Sequence, residues 1–212
     1  MKIIPTIFAH SRKEFQKRFN KLLKISNNLQ IDFMDGRFVK AKSISIKEIP
    51  NLKKYKNNFE AHLMTENPKK YIKKLKQKGF QKVIFHYEAL KNHEEAEKII
   101  KEIKNSDLAC FIAINPETQI EHILPFVDQV NGLLFMGVHP GKEHQSFIPV
   151  VYKKIKKLKK ISPNSTVQVD GGVNFKVAKK LAKLRVNSIN SGSFIADAKK
   201  PKEIYNKLKS IH

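Results

Sequence analysis

The chain has 212 residues, 41% of them hydrophobic, with 42 Lys and Arg against 19 Asp and Glu, a formal charge of +23 and a single cysteine. That apolar fraction supplies a full core for one domain, and the lone Cys110, set in an apolar run, excludes a disulfide framework and predicts a buried thiol in a reducing compartment. No apolar run of about 18 residues occurs and the opening Lys2-Ile3-Ile4-Pro5 has no signal-peptide pattern, so the expectation is an unprocessed cytoplasmic protein without a membrane span.

In chain order, strands are predicted over residues 3–8, 29–33, 59–63, 82–85, 109–114, 132–138, 166–169 and 188–190, where short apolar, β-branched runs are bounded by turn residues. Helical spacing of apolar residues predicts helices over 13–25, 68–77, 94–104, 148–160, 175–183 and 202–211. The link over 43–52 is a weaker helix candidate because Pro50 interrupts it. Strands alternating with helices predict a parallel sheet, and a count of eight predicts its closure into a (β/α)8 TIM barrel occupying residues 1–212 as one domain. An open doubly wound sheet is the other arrangement that periodicity allows. No Gly-x-Gly-x-x-Gly follows the first strand, which weighs against its dinucleotide-binding form.

In such a barrel the C-terminal ends of the strands share one pocket, and Asp32, His62, His86 and Asp170 all fall there. A single aspartate at a strand end is ordinarily a turn or cap residue, as Asp35-Gly36 is read here, and a single histidine is ordinarily structural. Asp32, His62 and Asp170 on three separate strand ends instead point to a site. Gly171-Gly172 and Ser191-Gly192-Ser193 follow the seventh and eighth strands, where barrels bind phosphate on backbone N–H groups. The lysine-rich segments 69–78 and 153–160 contain one aromatic, Tyr71, and none respectively. They offer no platform for stacking bases, so the charge is read as a solvated surface that attracts an anionic substrate, not as a nucleic-acid site.

Three segments carry a resemblance. Gln30-Ile31-Asp32-Phe33-Met34-Asp35-Gly36, His62-Leu63-Met64 and Val169-Asp170-Gly171-Gly172 resemble the H-x-D-x-M-D-G, H-L-M and V-D-G-G motifs of the ribulose-phosphate 3-epimerase family. Pro5-Thr6-Ile7-Phe8-Ala9 is similar to its P-S-I-L-S, and the loop from His139-Pro140-Gly141 to Phe147 is similar to its N-P-G-F-G-G-Q-x-F. The resemblance spans nearly the whole chain. It implies an isomerase of carbohydrate metabolism that interconverts D-ribulose 5-phosphate and D-xylulose 5-phosphate through an enediolate. Asp32 and Asp170 would be the catalytic pair, exchanging base and acid roles with direction. One divalent metal (zinc, iron, manganese or cobalt) would sit among Gln30, Asp32, His62 and Asp170. The implied substrate-binding residues are Met34, Met64 and Met136, whose thioethers exclude water, together with Gly141, Gly171, Gly172, Gly192 and Ser193. His86 would support the site from behind, and self-association into a homo-oligomer is also implied.

Four departures bear on these expectations. Gln30 stands where the family has histidine, Ala9 replaces a serine expected to bond the substrate, His139 replaces an asparagine, and Glu143 and His144 replace loop glycines. For Gln30 the expectation is ligation through its carbonyl oxygen; substitution by His10 and a weakened site are the other readings. Lys142 or His144 would supply charge to the phosphate in the altered loop. Two further functions are compatible with the departures: epimerisation of a six-carbon ketose 6-phosphate, and a non-catalytic barrel that binds an anionic ligand or partner.

Overall fold

Alternating side chains within short, β-rich segments leave one face of each strand for a barrel interior and the other for a helical coat. The computed structural model describes residues 1–211 and realises this as a closed barrel of eight parallel strands in sequence order. They are β1 (Lys2–Ile7), β2 (Asn28–Met34), β3 (Asn58–Met64), β4 (Lys82–His86), β5 (Ala109–Ile114), β6 (Gly132–Met136), β7 (Val167–Asp170) and β8 (Ser188–Ser191). Closure is made by β1 on β8, with Lys2 opposite Ser188 and Pro5 opposite Ser191. The predicted fold class is therefore the observed one, and no strand is missed.

The coat consists of α1 (Arg12–Leu23), α2 (Ile72–Lys78), α3 (His93–Asn105), α4 (Val150–Ile161), α5 (Phe175–Lys183), a short α6 (Ser193–Ala196) and α7 (Pro201–Lys209). Local chemistry sets their ends. Ser11, Asn92 and Asn174 accept backbone N–H groups at the starts of α1, α3 and α5, and Gly79, at φ +96°, closes α2 in the left-handed region. Two crossovers lack an α-helix. Between β2 and β3, residues 43–52 and beyond form 3₁₀ turns at Ile46–Glu48 and Leu52–Lys54 on either side of Pro50, whose missing N–H breaks a continuous helix. Between β5 and β6 two further 3₁₀ turns serve, one of them containing Pro125. The predicted helix over 68–77 begins as a 3₁₀ turn at Pro68–Tyr71. The predicted sixth strand stops short of 138: the Gly137 N–H makes the last rung to the Asp170 carbonyl of β7, and the Gly137 carbonyl turns away to accept from Ile148.

Outward positions of the strands, such as Leu29, Ile31 and Phe33 on β2 and Phe59, Ala61 and Leu63 on β3, join Phe15, Phe19 and Leu22 of α1 and Ile155 and Leu158 of α4 in one apolar core. The interior is divided. On β4, β5 and β6 the inward side chains include Ile84, Phe111, Ala113, Leu134 and Met136, an apolar wall bounded on β4 by Lys82 below and His86 above. On β2, β3, β7 and β8 the buried inward residues include Gln30 and Asp32, Glu60 and His62, Gln168 and Asp170, and Ser188 and Asn190. Burying that many polar groups is tolerable only when each finds a partner. Here they bond to one another across the barrel, and Lys82 closes the lower end by donating to Glu60 at 2.7 Å and to Gln168 at 3.0 Å.

Two expectations follow from this packing. Cys110, buried on β5 with its thiol pushed up to about 12 by desolvation, should resist a thiol reagent in the folded protein and react fully in denaturant. Phe19→Ala, which empties a site fully enclosed between α1 and β3, should cost about 3–5 kcal/mol in denaturant unfolding.

Candidate active site

Parallel register brings the chemistry together. Asp32 lies directly opposite His62 across the β2–β3 pairing, and Asp170 ends β7 on the far side of the barrel mouth. The His62 Nδ1 lies 3.2 Å from Asp32 Oδ1 and 3.4 Å from Asp170 Oδ2, with both carboxylates 8% exposed and the imidazole fully buried. One donor atom from each of these three residues falls within 4.8 Å of the others, a spacing that suits a single metal ion held by two carboxylates and an imidazole.

Gln30 lies beneath them with no exposure and does not reach the cavity wall. Its Nε2 donates to Asp32 Oδ1 at 2.9 Å and to Asp170 Oδ2 at 2.6 Å, while its Oε1 accepts from Asn190 at 2.8 Å. The carbonyl thus faces away from the three-residue cluster, opposite to the orientation expected of a ligand. His10 is no substitute: its exposed ring bonds the Lys42 carbonyl at 2.8 Å, outside the cavity lined by Asp32 and Asp170.

Charge in the cluster is balanced internally. Burial raises the Asp32 carboxyl to about 6, a rise aided by the charge of Asp170 and opposed by the hydrogen bonds from His62 and Gln30. Burial alone would lower His62, but its hydrogen bonds to Asp170 and Asp32 outweigh that and raise it to about 9. Behind it, the His62 Nε2 meets the His86 Nε2 at 2.9 Å. Burial holds His86 below the ordinary histidine value, so His86 accepts at Nε2 and donates at Nδ1 to Glu88, 3.2 Å away. Glu88 is fixed in turn by the Asn115 N–H at 2.7 Å and by the Thr118 hydroxyl. The segments that follow β4 and β5 thereby meet as one support for the ring of His62.

Above the carboxylates is a small cavity of about 80 Å³, open at the barrel mouth. Met34, Met64 and Met136 line it, as do Gly141, Gly171, Gly172, Gly192 and Ser193. Loop residues 139–145 form its roof. Phe147 explains one glycine: a Cβ at Gly172, where φ is +67°, would come within 2.7 Å of the Phe147 backbone nitrogen. Ala9 is buried and does not line the cavity, whereas Thr6 does, and its Oγ1 has no partner among the described residues. Asp35 is the turn residue expected, accepting the backbone N–H groups of Arg37, Phe38 and Glu66.

Sequence reading missed the ion pair that holds the roof. Arg18 of α1 donates to Glu143 Oε1 at 2.9 Å and lies 3.5 Å from Asp197, which is also 3.6 Å from His144. The two residues that replace loop glycines are thus tied to the barrel coat. Arg18 sits in mid-helix and 125 positions from Glu143, so no local signal marks the pairing.

A closed parallel barrel with two carboxylates and an imidazole converging under a roofed cavity defines a barrel enzyme of the acid–base type. Comparison with known proteins makes the class specific: the model of the ribulose-phosphate 3-epimerase family matches residues 2–196, and the chain belongs to that family. A ribulose-phosphate 3-epimerase from Schizosaccharomyces pombe is 34% identical over 214 residues, covering 99% of this chain and 92% of its own length. One from Methanocaldococcus jannaschii is 33% identical over 181 residues, covering 83% and 74%. A cytoplasmic isoform from Oryza sativa is 29% identical over 213 residues, covering 98% and 92%. Among solved structures, a tryptophan synthase alpha-subunit variant from Pyrococcus furiosus superposes with a TM-score of 0.73 at 13% identity, covering 99% of this chain and 97% of its own, a likeness of fold alone. No described helix is long and apolar enough to cross a membrane.

The role of Arg18 is open to measurement. Arg18→Met should speed hydrogen exchange of the roof amides by at least about tenfold, equivalent to ~1.4 kcal/mol of local opening, while leaving exchange in the barrel strands unchanged.

Proposed function

We propose that the protein interconverts D-ribulose 5-phosphate and D-xylulose 5-phosphate, acting as one cytoplasmic barrel domain within a homo-oligomer. The observation that carries this reading is the pair Asp32 and Asp170, buried under the cavity and joined by His62 and Gln30. Epimerisation requires the C3 proton to leave one face and a proton to arrive on the other. One carboxylate takes the proton from C3, the bonding electrons move into the C2 carbonyl to give an enediolate, and the second carboxyl group delivers its proton to the opposite face of C3. One proton is gained and one lost, and only the configuration at C3 changes.

The two carboxyl groups must hold different numbers of protons at the outset. Burial raises Asp32 towards the range where it can take up and release a proton, and the two carboxyl groups exchange roles with the direction of the reaction. His62 keeps its Nδ1 directed at both carboxylates and is held there by His86 and Glu88. Met34, Met64 and Met136 keep water from the enediolate, and the glycines at 171, 172 and 192 with Ser193 accept the phosphate end under the roof formed at Gly141. Thr6, which lines the cavity and has a buried hydroxyl without a partner among the described residues, is an additional candidate polar contact for the sugar.

Asp32, His62 and Asp170 are the residues that would hold a divalent metal of the zinc, iron, manganese or cobalt group, and their donor spacing fits it. When bound, such an ion supplies stabilisation of the negative oxygens of the enediolate. His62 must then release its Nδ1 proton, so metal binding should weaken as pH falls.

Proton NMR in deuterated water tests the reaction directly: the C3 proton of D-ribulose 5-phosphate should be lost as the epimer appears. Asp32→Asn and Asp170→Asn should each lower kcat by about a thousandfold with little change in the circular dichroism spectrum. Near-normal turnover in either variant would refute the paired-carboxylate mechanism. Absence of exchange with pentulose phosphates, tested beside a six-carbon ketose 6-phosphate, would redirect the substrate assignment.

A further inference from the structure

The buried polar half of the barrel is a directed chain of amides, and its direction is fixed from both ends. At the lower end Lys82 has only hydrogens to give, and it donates to Gln168 Oε1 at 3.0 Å. Gln168 therefore presents its Nε2 inward, donating to the Glu60 carboxylate and to Asn190 Oδ1, the latter at 2.7 Å. Asn190 in turn presents its Nδ2, donating to Glu60 Oε1 at 3.2 Å and to Gln30 Oε1 at 2.8 Å. Gln30 is left with its two amide hydrogens for Asp32 at 2.9 Å and Asp170 at 2.6 Å.

Reversing Gln30 alone would set its oxygen against two carboxylate oxygens and its nitrogen against the nitrogen of Asn190. Reversing Asn190 as well would turn its oxygen on Glu60, and reversing Gln168 would set nitrogen against Lys82. A reversal cannot stop inside the barrel without leaving a buried donor facing a donor or an acceptor facing an acceptor, each a costly mismatch. All three amides are fully buried, so water is not at hand to repair one.

We propose that Asn190 is a positioning residue: through the Lys82–Gln168–Asn190 relay it holds Gln30 as a two-hydrogen donor that clamps Asp32 and Asp170 together, and Gln30 is not a metal ligand. The position that a fourth protein ligand would fill is thereby given to a neutral clamp. A metal ion at the site would be held by Asp32, His62 and Asp170 without Gln30. This last consequence rests on the metal-dependent reading above; the clamp itself does not.

The experiment therefore has a metal-free arm and a metal arm. In isotope-labelled, metal-free protein, the side-chain NH2 of Gln30, assigned by its loss in Gln30→Leu, should exchange with water at least about a hundredfold more slowly than exposed side-chain amides. Asn190→Leu, with the same branched skeleton of side-chain heavy atoms, should remove at least about tenfold of that protection, and the smaller Asn190→Val, suited to a strand, should do the same if the leucine variant does not fold. Unchanged protection in the folded variant would overturn the relay. In the metal arm, cobalt(II) bound to Gln30→Leu should keep the ligand-field band positions of the native complex, because the same three side chains hold it, whatever affinity is lost with the clamp. Shifted band positions would make Gln30 a ligand and overturn the proposal. If native protein bound no cobalt, the metal reading would fall while the exchange data still decided the clamp.

Discussion

Two carboxylates buried side by side in a protein interior are a constraint that the surrounding structure has to meet, because each charge removed from water costs several kcal/mol unless it is paired and hydrogen-bonded. Asp32 and Asp170 meet it through a shared set of donors, the Nδ1 of His62 and the amide nitrogen of Gln30. Each donor is then fixed from behind. His62 leans on His86 at the end of β4 and on Glu88 just after it, itself held by Asn115 after β5, and Gln30 leans on Asn190 in β8. Five of the eight strands, β2, β3, β4, β7 and β8, thus supply the pair of acids and the side chains that hold it.

The division of the interior follows from the same demand. Polar residues cluster on β2, β3, β7 and β8 because isolated polar groups on an otherwise apolar wall would have no partners. The opposite wall, with Ile84, Phe111, Ala113 and Leu134, fills space without polar demands, and Met136 carries it up into the cavity. Phe8, Met34 and Met64 add a second apolar group at the mouth, packed against Phe38, Val39 and Ala41. The reacting carbons would therefore sit between an apolar cover and a charged floor, an environment that strengthens electrostatic interactions and protects an enediolate from water.

The roof has been altered in a consistent way. A glycine-rich loop closes by its own backbone, whereas this one carries Glu143 and His144 and is fastened by Arg18 and Asp197. The fastening places a carboxylate oxygen 3.4 Å from the position a Cβ would take at Gly192, next to the wall assigned to phosphate. A fixed negative charge there opposes the binding of a phosphate on electrostatic grounds. Lys142, in the same roof, and the net charge of +23 act in the other direction.

The sequence by itself determined the barrel, since eight short β-rich runs separated by crossover segments leave few parallel topologies open and right-handed crossovers select the rest. It also determined which residues reach the mouth, because Asp32, His62 and Asp170 each occupy an inward position near the end of a strand and period-two alternation fixes the face. Glu60, Gln168 and Asn190, which the closed barrel turns inward beside Gln30, were not singled out from the sequence. Hydrogen-bond direction is a property of the closed ring: whether Gln30 offers oxygen or nitrogen depends on Asn190, 160 positions away, and on Lys82 at the opposite end of the barrel. Only the tertiary structure decided that orientation, along with the Arg18–Glu143 pair, because both depend on which buried donors meet which acceptors once distant strands and loops are brought within 3 Å.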